Sequence, residues 1–310
     1  MSDLVFCGTP RFAVPTLETL VREGFSIRLV VTQPDRPRGR GLVLAPSAVK
    51  QSALAQHLLI TQPENIKNNQ EFRAQLTAFK PDAIVVVGYG RIIPQWMIDL
   101  PRFGNINLHA SLLPKYRGAA PIQWAIASGD RTTGVTTMRI DAGLDTGDIL
   151  MQKEIPINPA DTSEILAPTL AAIGADLLVD TLRELQAGTI KPRPQDNEKA
   201  TLAPILTKED GRIDFHRTAM EITNRLRGFQ PWPGAFTTFR GKNLHVWGAA
   251  VWQHPLPPSQ LLVENDRLLV GCGEETALTL LEVQPEGKKH VAVRDFIHGY
   301  RPQSGEKLGS

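Results

Sequence analysis

Asn107 and His109 lie two residues apart in the run Asn105-Ile106-Asn107-Leu108-His109, which passes directly into Ala110-Ser111-Leu112-Leu113-Pro114. In an extended strand, residues two apart share a face. The carboxamide and the imidazole therefore project together from a strand end. A carboxamide N–H can polarise a carbonyl and an imidazole can carry a proton, a pairing suited to acyl transfer to an amine. The competing reading is a polar strand end whose histidine caps the following loop. A second cluster, Asp141-Ala142-Gly143-Leu144-Asp145-Thr146-Gly147-Asp148, holds three carboxylates and two glycines after an apolar run. In an α/β sheet this loop would meet the strand end carrying His109. A carboxylate there would orient the imidazole or a water and favour the imidazolium. An Asx-rich turn with solvated charges is the alternative, because Asp and Gly are ordinary turn residues. Third, Pro34-Asp35-Arg36-Pro37-Arg38-Gly39-Arg40-Gly41 carries Arg36, Arg38 and Arg40 on a Gly/Pro loop. It is either an arm that contacts phosphates or a solvated loop.

Other chemistries lack their residues. Gly8-Thr9-Pro10 offers one glycine where a dinucleotide fold needs G-x-G-x-x-G, and there is no Walker loop and no G-x-S-x-G elbow. No two of the seven histidines pair at H-x-x-x-H spacing, so no metal is expected.

The elements that must position these residues follow from periodicity. Leu4–Cys7, Ile27–Val31, Ala83–Val87, Gly104–His109 and Gly134–Ile140 read as strands. Between them, Val14, Leu17, Leu20 and Val21 share a helical face, and Leu54–Leu59 and Phe72–Phe79 read as helices. Ala83–Val87 is apolar on both faces, as a central parallel strand is. Alternating strands and helices predict a Rossmann-like α/β domain with a parallel sheet, whose ligands sit beyond the carboxyl ends of the strands. Asp161–Leu185 is a predicted helix with Pro168 in its first turns. The predicted organisation is a catalytic domain over 1–187, a Pro-rich extended linker over 188–205, and a C-terminal domain over 206–310. The last part combines one helix, with Ala219, Ile222 and Leu226 in phase, and short strands that suggest a small β-barrel. Gly241-Lys242 and Asn265-Asp266 are its predicted hairpin turns. The isolated tryptophans read mostly as packing.

Length and composition agree with two globular domains. The 310 residues are 42% hydrophobic and 21% charged, which argues against global disorder. Net charge is 34 − 32 = +2, too small for a nucleic-acid coat, so such contact would need a local patch. From residue 206 onward 13 basic residues face 12 acidic ones, which is weak for autonomous phosphate binding. Two cysteines, Cys7 and Cys272, cannot form a disulfide framework and fit a reducing compartment. The longest apolar run, Ala83–Val87, falls short of a bilayer span, so no membrane and a cytoplasmic location are expected.

Taken together, these segments resemble the folate-dependent formyltransferases. The resemblance spans nearly the whole chain: Phe6-Cys7-Gly8-Thr9-Pro10, Val86-Val87-Gly88-Tyr89-Gly90, Asn107-Leu108-His109-Ala110-Ser111-Leu112-Leu113-Pro114, Tyr116-Arg117-Gly118-Ala119-Ala120-Pro121, Gly143-Leu144-Asp145-Thr146-Gly147-Asp148 and Pro231-Trp232-Pro233. Asn-x-His-x-Ser-Leu-Leu-Pro with a downstream Asp-x-Gly is specific to the superfamily. The arginine loop and Pro-Trp-Pro point to its tRNA-acting branch. The resemblance implies an OB-like C-terminal barrel that binds tRNA. It also implies formyl transfer from 10-formyltetrahydrofolate to the α-amino group of a methionyl-initiator tRNA, by a monomer. Asn107, His109 and Asp145 match the family's catalytic residues, Ser111, Leu112, Leu113 and Pro114 its folate-contacting stretch, and Arg40 its tRNA-contacting loop. Arg11 stands where the family often has an acidic residue, and Cys7 where it has a small or apolar one.

Overall fold

The computed structural model describes residues 3–38, 43–253 and 255–309. Contacts divide the chain into two units. The first comprises Met1–Pro121, Thr132–Pro156 and Ala167–Ala203; the second comprises Ile122–Arg131, Ile157–Leu166 and Pro204–Ser310.

The strands of the first unit run β1 (Asp3–Gly8), β2 (Ser26–Val31), β3 (Arg36–Arg38), β4 (Val43–Ala45), β5 (Ile60–Thr61), β6 (Ala83–Val87), β7 (Asn105–His109), β8 (Arg117–Gly118), β9 (Thr132–Arg139), β10 (Ile149–Pro156) and β11 (Leu202–Ala203). Among the described residues seven of these form one sheet, in the order β10-β9-β7-β6-β1-β2-β5. The five from β7 to β5 are parallel. Helices α1 (Val14–Arg22), α2 (Ala48–Ala55), α3 (Gln70–Phe79) and α4 (Gln95–Ile98) lie between them in sequence. The parallel sheet expected from sequence is thus a mixed one, because β9 runs antiparallel to both β7 and β10. The connection between β9 and β10, residues 140–148, is shorter than a parallel crossover needs. α2 begins earlier than the apolar run Leu54–Leu59 suggested. Ser47 caps it by accepting Lys50 N–H at 3.0 Å, and the chain leaves the helix at His57, whose φ is 56°.

After α5 (Pro121–Ala127) comes the long helix α6 (Ser163–Ala187), which tolerates Pro168 in its interior. By length and composition α6 could cross a membrane, which the count of consecutive apolar residues did not register. Its Leu170, Ala175, Leu178 and Leu182 are buried within the protein. Gly174 is required where α6 meets β7, because a Cβ there would stand 2.7 Å from Leu108 Cδ2.

Among the described residues the second unit holds an antiparallel sheet of β12 (Ala235–Phe239), β13 (Lys242–Trp252), β14 (Leu261–Glu264), β15 (Arg267–Gly271), β16 (Ala277–Pro285) and β17 (Val291–Ala292). Its order is β12-β13-β16-β15-β14, with β17 added on β16. α7 (Ala219–Gly228) and α8 (Val293–Tyr300) supply Ala219, Ile222, Leu226 and Phe296 to its core. Two-residue turns close two hairpins. Asn265-Asp266 falls where the sequence placed it, with φ of 48° and 60°. The other centres on Arg240-Gly241, one residue earlier than expected, because Phe239 pairs with Lys242. The C-terminal tail runs from Leu261, bonded to Gly305 and Glu306, to Thr238 on β12, and buries Leu308.

Candidate active site

β7 places Asn107 and His109 on one face, between Val86 of β6 and the Met138–Thr136 stretch of β9. The opposite face carries Ile106 and Leu108 into the core. His109 is 6% exposed, and its Nε2 stands 2.8 Å from the Tyr116 carbonyl. A carbonyl only accepts, so Nε2 carries hydrogen in this contact. Nδ1 then faces Asp145 Oδ2 at 3.7 Å, an ion-pair distance rather than a hydrogen bond. The same Oδ2 accepts Gly118 N–H at 2.9 Å. Asp145 holds its φ at 52°, in the left-handed region that a non-glycine residue adopts under local constraint. Sequence reasoning gave a carboxylate the task of orienting the imidazole or a water. In the structure a backbone carbonyl meets one ring nitrogen and Asp145 faces the other.

Asp141, by contrast, serves its own turn. Its carboxylate accepts Gly143 N–H and the Thr146 hydroxyl, at 2.8–3.0 Å. Gly147 is fixed by packing, since a Cβ there would strike the Arg139 carbonyl.

The Ser111–Pro114 stretch turns back over β9. Thr136 Oγ1 donates to the Ser111 carbonyl at 2.6 Å and accepts from Leu113 N–H at 3.1 Å and Gln152 Nε2 at 3.0 Å. One hydroxyl thus uses its donor and both lone pairs. Gln152 Nε2 also reaches the Leu113 carbonyl at 2.9 Å. Ser111 is fully buried with its hydroxyl on the Lys115 carbonyl, and Leu113 packs on Met138 and Ile149. Of the four side chains, only the half-buried Leu112 and Pro114 have exposed surface to offer a ligand. On the neighbouring strand end, Gly88 and Gly90 take positive φ, and Ile92 is 91% exposed.

Comparison with known proteins decides the family. Residues 3–182 match the family described as formyl transferase, and residues 205–301 match the formyl transferase C-terminal domain. A methionyl-tRNA formyltransferase of Koribacter versatilis is 68% identical over 99% of this chain and 98% of its own. One of Bacillus subtilis is 43% identical over 100% and 98%.

The chain belongs to the methionyl-tRNA formyltransferase family.

Among solved structures, a sugar 3N-formyl transferase crystallised with dTDP and 5-N-formyl-THF superposes with a TM-score of 0.67. It shares 19% identity and covers 93% of this chain and 99% of its own. HypX of Aquifex aeolicus in complex with tetrahydrofolic acid gives 0.59 at 16% identity, covering all of this chain and half of HypX. These two likenesses are likenesses of fold.

The arginine loop of this formyltransferase begins as the hairpin of β3 and β4, pairing Arg36 with Ala45. Arg36 is 62% exposed and lies 3.7 Å from Glu64. Arg38 is the last residue of β3, and Arg40 lies outside the described residues. The hairpin base is tied down by Asp35, which accepts Lys50 Nζ at 2.7 Å and Gln62 Nε2 at 2.8 Å. The Lys50 hydrogen bond, then that of Gln62, holds the Asp35 carboxyl below its usual range. Gln33, two residues before Asp35, bonds the Tyr89 and Gly90 carbonyls at 2.9 and 3.2 Å. The exits of β2 and β6 are thereby fastened together.

Sequence reasoning missed Thr136, Gln152 and Gln195, which carry no local signal, and it gave Tyr116 and Arg117 no task beyond their place in the family motif. Tyr116 acts through its backbone, and each side chain reaches a partner far along the chain. The stretch read as a linker also does more than connect. Arg193 exchanges two backbone hydrogen bonds with Ile149, and β11 pairs with β8. Among the described residues no group of three or more His, Cys, Asp or Glu side chains is gathered as a metal site.

Proposed function

We propose that this chain transfers the formyl group of 10-formyltetrahydrofolate to the free α-amino group of a methionyl-initiator tRNA. The observation that carries the reading is His109 held between the Tyr116 carbonyl and Asp145, two residues from Asn107 at a strand end. The amine attacks the formyl carbon, giving a tetrahedral oxyanion and a positive nitrogen. Asn107 donates to the oxyanion, as preorganised carboxamides do. His109 accepts the amine proton on Nδ1, the nitrogen left bare by the Tyr116 contact, and Asp145 stabilises the resulting imidazolium. The carbonyl reforms as the carbon–nitrogen bond to the folate breaks, and the leaving nitrogen takes up a proton. Leu112 and Pro114, half-buried, would offer apolar surface to the pteridine ring. Arg36, Arg38 and Arg40 would hold acceptor phosphates. Two buried free cysteines suit work in the reducing cytoplasm.

The test supplies purified protein with 10-formyltetrahydrofolate and, in separate reactions, methionyl-initiator tRNA, an amino-sugar nucleotide, glycinamide ribonucleotide, or buffer alone. Formylated methionyl-tRNA at the highest kcat/KM supports the reading. Preferential formylation of a small amine overturns the acceptor assignment, and formate release in buffer alone at a comparable rate overturns the transferase.

A further inference from the structure

Gln195 uses the whole hydrogen-bonding capacity of its carboxamide. Oε1 accepts twice from Arg117, from Nε at 3.0 Å and Nη2 at 2.9 Å. Nε2 donates twice, to the carbonyls of Asp145 at 2.8 Å and Gly147 at 2.7 Å. The amide orientation is unambiguous, because a guanidinium only donates and a carbonyl only accepts. Arg117 is 7% exposed, and its Nη2 also donates to Asn197 Oδ1 at 2.8 Å. Among the described residues no carboxylate lies within ion-pair distance of it. A buried cation holds firmly the amide oxygens it donates to.

The two carbonyls held by Gln195 bracket the turn that presents the Asp145 carboxylate to His109 Nδ1. That carboxylate is held independently by Gly118 N–H. Arg117 and Gly118 are consecutive, so the two-residue strand β8 grips Asp145 twice, by its carboxylate directly and by its main chain through Gln195. We propose that Gln195, oriented by Arg117, is a positioning residue that fixes the Asp145–Gly147 backbone and so sets the Asp145 carboxylate against His109. The inference rests on the reading that Asp145 supports protonated His109.

Gln195→Glu separates positioning from support of the fold. A carboxylate still accepts from Arg117, now as an ion pair. It also sets an oxygen against the Asp145 and Gly147 carbonyls, which pushes the turn away. The experiment measures kcat, both KM values, the pH profile of kcat and a thermal melt for Gln195→Glu, Asp145→Asn and the double variant. Gln195→Glu is expected to lower kcat about ten- to a hundredfold, the usual cost of a small misplacement, with each KM within about threefold of the parent. Its pH profile should shift in the same direction as that of Asp145→Asn. The double variant should be no slower than Asp145→Asn alone, as two changes on one route are. If Gln195→Glu does not fold, Gln195→Met in the same cycle carries the same expectation. Losses that multiply in the double variant, or an effect confined to KM, overturn the proposal. Parental turnover by the Gln195 variant beside an impaired Asp145→Asn overturns positioning alone. Parental turnover by Asp145→Asn overturns the underlying role of Asp145, and the proposed route with it.

Discussion

At His109 the two ring nitrogens have different tasks, and the difference decides what each neighbouring residue is worth. Nε2 is committed to the Tyr116 carbonyl, which leaves Nδ1 facing Asp145. Asp145→Asn keeps an acceptor for Gly118 N–H but loses the charge that stabilises the imidazolium. Asp141→Asn leaves the Asp145 charge in place and weakens a turn. We therefore expect Asp145→Asn to lower kcat by at least ~100-fold and Asp141→Asn by less than ~10-fold, measured on the same substrates. Equal losses would mean that the loop acts by shape alone. Asn107→Ala should likewise cost about two to three orders of magnitude in kcat, with its melt nearly unchanged because the Asn107 side chain is only half-buried. Period two placed Asn107 and His109 on one face, whereas the turn offered three carboxylates and only the family resemblance singled out Asp145. The Tyr116 carbonyl was not legible, since no residue type advertises a backbone acceptor.

Elements set the precision of this arrangement. β9 contributes Thr136, whose hydroxyl joins Ser111, Leu113 and Gln152. Thr136→Val keeps the shape but strands a buried N–H and a carbonyl. It should cost about 2–3 kcal/mol of stability and, on the proposal that Ser111–Pro114 contacts the folate, raise the folate KM more than it lowers kcat; unchanged folate KM in a folded variant would overturn that proposal. The proposed phosphate contacts of the arginine loop are tested separately. Arg40→Ala should weaken tRNA kcat/KM and flatten its dependence on salt by about one phosphate contact, with folate binding by titration unchanged. An unaltered salt slope would make the loop a solvated feature. β6 and β7 were legible from their β-branched and alternating runs. β10 and the β3–β4 hairpin were not, because Ile149–Pro156 mixes charged and apolar residues and the hairpin strands are three residues each.

On the scale of the whole chain, sequence order and spatial grouping differ. The C-terminal sheet unit also includes Ile122–Arg131 and Ile157–Leu166. Trp124 meets Phe229 edge-on at 5.3 Å and donates Nε1–H to the Pro204 carbonyl at 2.9 Å. Ser163 donates its hydroxyl to the Gln230 carbonyl, and Arg227 reaches the carbonyls of Asn158 and Asp161. A chain cut at residue 206 would therefore lose the partners of these segments as well as the sheet, which makes point variants the cleaner probes. Trp124→Ala should lower stability by about 2–4 kcal/mol, read as a shifted urea midpoint; an unchanged midpoint would show that this segment adds nothing to the C-terminal unit. Such long-range contacts leave no periodic trace, which is why composition alone placed the boundary at a Pro-rich stretch.

The most direct test of the account is the single-turnover rate of formyl transfer from 10-formyltetrahydrofolate to methionyl-initiator tRNA by His109→Ala, compared with the parent at saturating substrates, with folding verified by a melt. The account predicts a loss of at least ~100-fold in a protein that melts near the parental temperature. A folded His109→Ala that turns over within a few-fold of the parent would contradict it.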